Sequence, residues 1–275
     1  MLSLPAPAKL NLFLHINRRR ADGYHELQTC FQLLDYGDKL EFECNDSGSI
    51  TLQSSLGTIA NSDNLVLRAA MLLQAETRTP LGAEIQLHKT LPLGAGLGGG
   101  SSDAATTLLA LNKLWDCQLS QTELVRLGLK LGADVPVFVH GFSGWGEGLG
   151  EVLQAINLPE RWYLVVTPSC QVSTGEIFSH PQLTRNRAPI TIPAFPFSGT
   201  RNDCEAVAVA LYPEIGAALD WLGHYAPARM TGTGSSIFAD FSSQQAAEKV
   251  LKELPENCSG FVAKGINTSP VLQAL

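Results

Sequence analysis

Polar and apolar residues alternate along several short stretches of the chain, as they do in half-buried β-strands. A wholly different pattern, the nearly continuous apolar run RWYLVVTP at 161–168, indicates a buried strand. Two more strands are predicted in the second half, near 235–241 and 260–264. The alternating stretches of the first half are KLNLFLHI (9–16), KLEFEC (39–44), SITLQ (49–53) and AEIQLHK (83–89).

Other stretches have the apolar spacing of amphipathic helices. NLVLRAAMLLQAET (64–77) is one, and Asp63 or Ser62 is predicted to cap its N-terminus. A second helix is predicted to follow a glycine-rich stretch, beginning at Ser102 or Asp103 and continuing to about residue 115. The first half of the chain therefore combines strands and helices.

The capping-box pattern SQTE (120–123) opens a third predicted helix, which extends to about residue 131. Residues 179–201 are rich in proline and show no periodicity, which predicts a loop or a crossing between domains. The whole pattern predicts an α+β fold of two domains, 1–155 and 156–275, divided between 145 and 165. Further helices are predicted near 203–211, 213–223 and 243–254.

Composition narrows the class of protein. The chain has 275 residues, of which 45% are hydrophobic and 16% charged, as in a well-packed globular protein. The net charge of −7 disfavours a nucleic-acid partner. No membrane-length apolar run and no signal peptide are expected, so the predicted location is cytoplasmic. The six cysteines form no CxxC pair, so no structural metal site is predicted: they are Cys30, Cys44, Cys117, Cys170, Cys204 and Cys258.

The stretch PLGAGLGGGSSDAA (92–105) holds five glycines just before a predicted helix. GAGLGG (94–99) matches the dinucleotide fingerprint G-x-G-x-x-G, but the strand before it alternates and Pro92 intervenes. The stretch also lacks the lysine of a P-loop. Glycine-rich backbone leading into a helix N-terminus binds anions, and Ser101 and Ser102 could donate hydroxyls to phosphate or ligate Mg²⁺. The alternative is a tight turn followed by an N-cap.

Three motifs in this order resemble those of the GHMP kinase superfamily, which includes galactokinase, homoserine kinase and mevalonate kinase. They are PAPAKLNLFL (5–14), the glycine-rich stretch at 92–105 and MTGTGSSIF (230–238). The resemblance implies a two-domain GHMP-kinase-like fold and a kinase that uses ATP, with Mg²⁺ carried on the nucleotide. The ATP-binding residues that it implies are Asn64, Pro92, Gly94, Gly96, Leu97, Gly98, Gly99, Gly100, Ser101 and Ser102.

Three further stretches are similar to one branch of the superfamily: RRADGYHELQT (19–29), GADVPVF (132–138) and VSTGEIF (172–178). That branch phosphorylates the C2 hydroxyl of 4-diphosphocytidyl-2-C-methyl-D-erythritol in the non-mevalonate isoprenoid precursor pathway. The implied partner is therefore a small alcohol linked to cytidine diphosphate. The oligomeric state stays open.

The resemblance implies that Asp134 is the base which takes the proton of the acceptor hydroxyl. Its alternative role is a helix N-cap, with Pro136 in the first turn. Lys9 is the implied catalytic partner, because a nearby cation favours the carboxylate and polarises the hydroxyl. Its alternative role is a solvated lysine at the start of a strand. Asn11 lies two residues on, shares a strand face with Lys9 and could bind the substrate or satisfy local backbone.

The same resemblance places the cytosine near Tyr24 and His25. Tyr24 and Phe178 would supply faces for stacking, His25 would bind the edge of the base, and Thr174 would supply a hydroxyl. Without the resemblance, Tyr24 and His25 would be read as a surface aromatic and a solvated histidine. The basic run 18–20 is predicted to be a solvated face or a contact to the substrate diphosphate.

Four functions are thus weighed against each other. The first is the kinase of the cytidine-linked alcohol. The second is another small-molecule GHMP kinase, of the homoserine or mevalonate type, although neither of those substrates has a base that would explain GYH. The third is a non-catalytic nucleotide sensor on the same fold, and the fourth is an NAD-dependent oxidoreductase based on GAGLGG.

Overall fold

The computed structural model describes residues 1–55, 63–192, 195 and 197–275. Within these residues lie ten strands and nine helices. The strands are β1 (Leu2–Arg19), β2 (His25–Asn45), β3 (Ile50–Ser54), β4 (Gly82–His88), β5 (Gly144–Gly148), β6 (Val152–Ala155), β7 (Trp162–Pro168), β8 (Arg229–Met230), β9 (Ile237–Phe241) and β10 (Cys258–Ile266). The helices are α1 (Leu65–Thr77), α2 (Gly99–Leu114), α3 (Gln121–Leu129), α4 (Val135–His140), α5 (Thr174–Ser179), α6 (Glu205–Leu211), α7 (Pro213–Gly223), α8 (Gln244–Leu251) and α9 (Pro270–Ala274).

All the described strands are connected through hydrogen-bonded neighbours. The main path runs β3-β4-β2-β10-β7-β9-β8, while β1 pairs with β2, and β5 pairs with both β2 and β6. The β3–β4 pair is parallel and the other strand pairs are antiparallel. β10 links the two halves, since Gly265 and Ile266 pair with Leu34 and Leu33 of β2 while the rest of the strand pairs with β7.

β1 departs from the alternation that the sequence predicts. Every residue from Ala6 to Ile16 is buried, including the polar ones. The strand contributes side chains to all three apolar clusters of the interior, for example Leu4, Leu10 and Ile16. Both of its faces are therefore covered, and its pairing with β2 shifts register at three places, between Pro7 and Lys9, between Asn11 and Leu14 and between Ile16 and Arg18.

The helices pack into the clusters of their own half of the chain. Helices α1 to α4 contribute to the first cluster, with the strands β1 to β4. Helices α6 to α8 contribute to the second cluster, with β7 and β9. A third cluster, which includes Phe13, Trp145 and Phe197, joins β1 to the segment between α5 and α6. The proposed domain boundary at 155/156 stays a prediction.

Several predicted helix ends are wrong by a few residues. Asn64, not Asp63, caps α1, because its side chain accepts a hydrogen bond from the Val66 amide at 2.9 Å. Ser62, the other predicted cap, lies outside the described residues. α2 begins earlier than predicted, with Gly98 as its N-cap in the left-handed conformation, so neither Ser102 nor Asp103 caps it. The capping box of Ser120 and Glu123 is confirmed.

No single helix of the described ranges is long and apolar enough to cross a membrane. One bent pair, Glu205–Leu211 with Pro213–Gly223, meets the length and composition requirement when the two helices are taken together, at an angle of 119°.

Candidate active site

A cleft crosses the molecule where β1, the glycine-rich stretch and the start of α4 converge. Its central cavity measures about 300 Å³. Strand β1 supplies Lys9 and Asn11, and helix α5 supplies Thr174 and Phe178 on the opposite side. The remaining predicted residues in its lining are Gly94, Gly96, Gly98, Ser101 and Asp134.

Lys9 is a buried cation, with 2% of its surface exposed. Its ammonium nitrogen donates to Oδ1 of Asn11 at 2.5 Å and to the Gly96 carbonyl at 3.0 Å. The same nitrogen lies 3.2 Å from Oδ2 of Asp134. The solvated-lysine alternative is therefore wrong: Lys9 points inward and is held by three oxygen atoms.

Asp134 stands at the N-cap position of α4, with a proline in the first turn. Its side chain makes no capping hydrogen bond. The carboxylate instead faces Lys9 and the cleft, and 34% of the side chain is exposed. The capping alternative thus holds for the position but not for the carboxylate, which is available to a hydroxyl in the cavity.

Asn11 is fixed in place by two threonines. Its Nδ2 donates to Oγ1 of Thr29 at 2.9 Å, and its backbone amide donates to Oγ1 of Thr231 at 2.9 Å. Because Oδ1 of Asn11 accepts a hydrogen bond from Lys9, both the oxygen and the nitrogen of the Asn11 side-chain amide have partners within the protein. Asn11 therefore orients Lys9 in this structure. The sequence alone gave no reason to single out Thr29 or Thr231.

The glycine-rich stretch needs glycine because of backbone conformation and close contact. Gly94, Gly96 and Gly98 all have positive φ, at 65°, 76° and 72°. A Cβ on Gly96 would stand 2.3 Å from the Thr231 carbonyl oxygen. The stretch thus packs directly against a second glycine-rich segment, MTGTG (230–234), and no residue larger than glycine fits at position 96.

The predicted nucleotide-binding residues differ in which cavity they line, if any. A third cavity, of about 190 Å³, is lined by Gly100 and Asn64 together with Lys89 and Asp103, whose side chains are both buried. Ser101 faces the central cavity, whereas Ser102 is fully buried and its hydroxyl has no partner among the described residues. Side-chain contact of Ser102 with a phosphate is therefore not possible in this conformation. Pro92, Leu97, Gly99 and Ser102 line none of these cavities.

Lys89 lies between two buried carboxylates, Asp38, which no sequence pattern marked, and Asp103, which was predicted only as a possible helix start. It contacts Asp38 closely, and its ammonium lies 2.9 Å from Oδ2 of Asp103. Asp38 also accepts hydrogen bonds from two backbone amides, whereas Oδ1 of Asp103 has no partner among the described residues. Burial, opposed by Lys89 and reinforced by Asp38, raises the pKa of Asp103 to about 7.

A second cavity, of about 390 Å³, continues from the first on the side of α5. Tyr24, His25 and Phe178 line it, and Tyr24 is 62% exposed. The rings of His25 and Phe178 are stacked, with centroids 5.2 Å apart and planes at 25°. Thr174 Oγ1 lies 3.1 Å from Oγ1 of Thr233, which ties α5 to the second glycine-rich segment. The two cavities share Leu27, Ala133, Leu149, Thr174 and Phe178.

His25 is less exposed than its sequence context suggests, at 8%. Arg185 donates from Nε to Nε2 of His25 at 3.1 Å. Burial lowers the pKa of His25, and the nearby cations Arg185 and Arg19 lower it further. Arg185 was not predicted, because a single arginine in an aperiodic loop carries no signal.

The basic run at 18–20 is split by its partners. Arg18 pairs with Glu26 and Arg20 pairs with Asp22, both at the surface. Arg19 lines the second cavity beside His25. Only Arg19 of the three is therefore directed toward the cleft without an acidic partner among the described residues.

Comparison with known proteins identifies the family. Residues 64–142 match the family described as GHMP kinases N terminal domain, and residues 194–260 match GHMP kinases C terminal. The 4-diphosphocytidyl-2-C-methyl-D-erythritol kinase of Shewanella putrefaciens is 56% identical over 98% of this chain and 96% of its own length. That of Shewanella woodyi is also 56% identical, over 98% and 95%.

The chain belongs to the 4-diphosphocytidyl-2-C-methyl-D-erythritol kinase family. A crystal structure of 4-(cytidine 5'-diphospho)-2C-methyl-D-erythritol kinase is similar to it with a TM-score of 0.82 and 31% identity, over 97% of this chain and 100% of the other. A mevalonate kinase structure at 16% identity, with a TM-score of 0.69 over 97% and 100%, shares the fold.

Membership of this kinase family confirms three predictions from the sequence. The fold is the α+β fold of GHMP kinases, the protein is a phosphotransferase, and ATP is its phosphoryl donor. The hypothesis of an NAD-dependent oxidoreductase is wrong, because GAGLGG (94–99) lies within the residues that match the GHMP kinase N-terminal domain. The roles of individual site residues stay predictions.

Proposed function

We propose that this kinase transfers the γ-phosphoryl group of ATP to the C2 hydroxyl of 4-diphosphocytidyl-2-C-methyl-D-erythritol, a step of isoprenoid precursor synthesis. The relatives' names support this substrate. The observation that carries the proposal is the position of Lys9 and Asp134, in a cavity that shares its lining with a second, aromatic cavity. A phosphoryl donor and a base-containing acceptor would therefore meet beside the pair.

Asp134 is assigned the role of general base. The acceptor hydroxyl loses its proton to a carboxylate oxygen of Asp134 as its oxygen forms a bond to the γ-phosphorus and the bond to the leaving ADP oxygen breaks. Lys9 faces the same carboxylate from a buried position and stabilises negative charge there. Asn11 accepts a hydrogen bond from the Lys9 ammonium and thereby holds it beside the Asp134 carboxylate.

ATP is assigned to the glycine-rich stretch and the start of α2. The N-cap residue Gly98 has no side chain, so no side chain occupies the N-terminal amides of this 16-residue helix. Free amides and the helix dipole favour a phosphate there. Ser101 adds a hydroxyl on the cavity side. The third cavity, with Asn64 and the apolar side chains of Leu65 and Val66, is assigned to the adenine ring.

Mg²⁺ is assigned to the nucleotide rather than to a dedicated protein site. This ion keeps several water ligands and binds phosphate oxygens together with one or two protein oxygens. Two side chains of the central cavity would supply such oxygens: Ser101, at the proposed phosphate site, and Asp134, the proposed base. Bound there, the ion would neutralise charge on the phosphates during transfer.

The second cavity is assigned to the cytosine. Tyr24 and Phe178 present aromatic faces to this cavity. His25, at the start of β2, presents the edge of its ring and stacks on Phe178 of α5. Thr174 stands where the two cavities meet and is assigned to the alcohol or its diphosphate. Neither homoserine nor mevalonate has a group that would use an aromatic cavity, and a pure sensor would not need the Lys9–Asp134 pair.

The proposal includes no nucleic-acid or membrane partner and a cytoplasmic location. A net charge of −7 supports the first part, since phosphate backbones repel acidic proteins. The six cysteines are all free, which suits a reducing compartment.

The test is an ADP-release assay with the cytidine-linked methylerythritol beside mevalonate and homoserine. We expect turnover with the first substrate alone. Tyr24→Ala and Phe178→Ala should each raise the KM for that substrate about tenfold to a hundredfold, by loss of a stacking face, with the KM for ATP unchanged. CMP should compete better than a uridine nucleotide. Turnover with mevalonate or homoserine instead, or normal KM values in both variants, would contradict the substrate assignment.

A further inference from the structure

The imidazole of His25 is held between a ring and a cation. Phe178 stacks against one face, with the ring centroids 5.2 Å apart. At one edge, Nε of Arg185 donates a hydrogen bond to Nε2 of His25 at 3.1 Å. Both partners come from the segment that begins with α5, whereas His25 begins β2. The ring is thus fixed by parts of the chain far from it in sequence.

The guanidinium of Arg185 is itself immobilised. Its two terminal nitrogens donate to the backbone carbonyls of Leu183 at 3.1 Å, Phe178 at 2.8 Å and His180 at 2.8 Å. With the bond to His25, four of the five guanidinium N–H groups have a partner. The arginine cannot turn without losing several bonds, so the donor that meets His25 is rigid.

A nitrogen that accepts a hydrogen bond carries a lone pair and no proton. An arginine never accepts, so Nε2 of His25 is the acceptor and the single proton of the neutral ring lies on Nδ1. Nδ1 has no partner among the described residues, and it is not one of the fully buried atoms. Since His25 lines the second cavity, the Nδ1–H donor is available to a ligand there.

We propose that Arg185 is a positioning residue that locks His25 as its Nδ1–H tautomer and thereby makes the second cavity selective for cytosine over uracil. The proposal rests on the proposed function, which places the base in this cavity. Cytosine presents N3 as an acceptor, which matches an Nδ1–H donor. Uracil presents N3–H, which would meet that donor with a second donor, and such a mismatch leaves both groups unpaired.

The charges around the ring act in the same direction. Arg185 and Arg19 are the cations that face His25, and both disfavour a second proton on the ring. A doubly protonated imidazole would also turn Nε2 into a donor against the donor of Arg185. The hydrogen bond and the two cations therefore keep the ring neutral as well as in one tautomeric form.

The tautomer can be read directly by ¹⁵N NMR of histidine-labelled protein, with His25 assigned by its loss in His25→Gln. We expect the Nδ1–H form in the wild-type protein without ligand. Arg185→Met removes the donor and should let the Nε2–H form appear. In the same variant the preference for CMP over UMP, measured by calorimetry, should fall by roughly tenfold, the effect of one hydrogen bond.

Arg19→Met is the matched control, because it removes a cation beside His25 that makes no hydrogen bond to it. It should leave the Nδ1–H form in place. If Arg185→Met does not fold, Arg185→Leu likewise places no donor beside Nε2, and the same shift of tautomer is expected.

Retention of the Nδ1–H form in the Arg185 variants, or equal losses of CMP and UMP affinity, would overturn the proposal and leave Arg185 as a packing residue. A wild-type protein that binds neither nucleotide would instead contradict the proposed function. The tautomer measured without ligand would still decide the role of Arg185 in that case.

Discussion

The ammonium nitrogen of Lys9 lies 3.2 Å from Oδ2 of Asp134, and the two side chains differ sharply in exposure. The lysine side chain is 3% exposed and the aspartate side chain 34%. The cation therefore stays behind the carboxylate, held by Asn11 and the Gly96 carbonyl, while the carboxylate faces the cleft. A hydroxyl can approach Asp134 without displacing Lys9.

Asp134→Asn should abolish most turnover and leave ATP binding nearly intact. The amide cannot take a proton from the hydroxyl, and loss of a general base costs about 10²–10⁴-fold in rate. Steady-state kinetics and ATP calorimetry on the same preparation check this. Asn at this position keeps the shape of the side chain, so a folded variant with normal turnover would remove Asp134 from the mechanism.

Lys9→Met should also lose turnover, because it removes the buried positive charge that faces Asp134. If the two residues act as a unit, the double variant Lys9→Met/Asp134→Asn should be little slower than either single variant. The kcat values of all four proteins give the answer. Losses that multiply in the double variant would mean that the residues contribute independently.

Gly94→Ala should weaken ATP binding more than it weakens the fold. Gly94 has φ of 65°, and an added Cβ would meet no atom within 4 Å, so the stability cost is the left-handed backbone alone, about 1–2 kcal/mol. ATP affinity should fall about tenfold or more, because an alanine that leaves the left-handed conformation to relieve this strain turns the neighbouring backbone amides away from the phosphate.

Gly199→Ala is the control for this substitution. It has the same open surroundings and a φ of 81°, and it lines none of the three cavities. It should cost similar stability and leave ATP affinity unchanged. Equal ATP affinities in the two variants would speak against phosphate binding by this stretch. Gly96→Ala should be far more destabilising, since its Cβ would collide with the Thr231 carbonyl.

Asp103→Asn should stabilise the protein at high pH. The folded-state pKa of Asp103 is about 7, above its ordinary value of 3.8, so between these values the folded state binds a proton that the unfolded state has released. Stability from this group is therefore present at low pH and lost as pH rises through 7. Urea unfolding without ATP should show the variant more stable at pH 8 by on the order of 1 kcal/mol, with little difference near pH 4.

Asp38→Asn provides the contrast. Asp38 accepts two backbone amides and contacts Lys89, so its carboxylate is satisfied and its replacement should destabilise at both pH values. An Asp103→Asn variant that is less stable than the wild type at pH 8 would show that Lys89 needs both carboxylates.

Cytidine affinity should be constant above pH 6.5 and should fall at lower pH. Burial, Arg185 and Arg19 lower the pKa of His25 below 6.5, and the two arginines stay charged throughout. Only the neutral ring offers the proposed donor beside Arg185, so affinity is lost as pH falls through the lowered pKa. The nucleoside avoids titration of a phosphate. His25→Gln should bind cytidine weakly and with no such pH dependence, and a flat profile in the wild type would contradict the prediction.

Helices whose first residues are fixed by a proline or a capping box were predicted well from the sequence. The helix α7 matches the predicted 213–223, with its proline in the first turn, and α3 begins at the predicted capping box. β1 and β2 are much longer than predicted, because β1 is buried on both faces and loses its alternation. The short strand β5, GWGEG, was missed since glycine carries no strand signal.

Those site residues that lie within recognisable sequence motifs could be predicted, and those outside the motifs could not. The spacing of Lys9 and Asn11 predicted a shared strand face, and their hydrogen bond confirms it. The pairing of Lys9 with Asp134 depends on the packing of α4 beside β1, which no local pattern specifies. Arg185, Thr29 and Thr231 act through contacts between distant segments, and single polar residues in loops or strands give no sequence signal of such contacts.

The double pairing of β10 has a consequence for how the protein is made. Leu33 of β2 is paired with Lys9 on one side and with Ile266 of β10 on the other. A nascent chain in which β10 is not yet synthesised thus carries an open strand edge on β2, at the residue that pairs with Lys9. Such edges invite pairing with other chains. The β2 edge at Leu33 and Leu34 is covered only by a strand from the last twenty residues of the chain, so this part of the sheet is complete only after β10 has been synthesised.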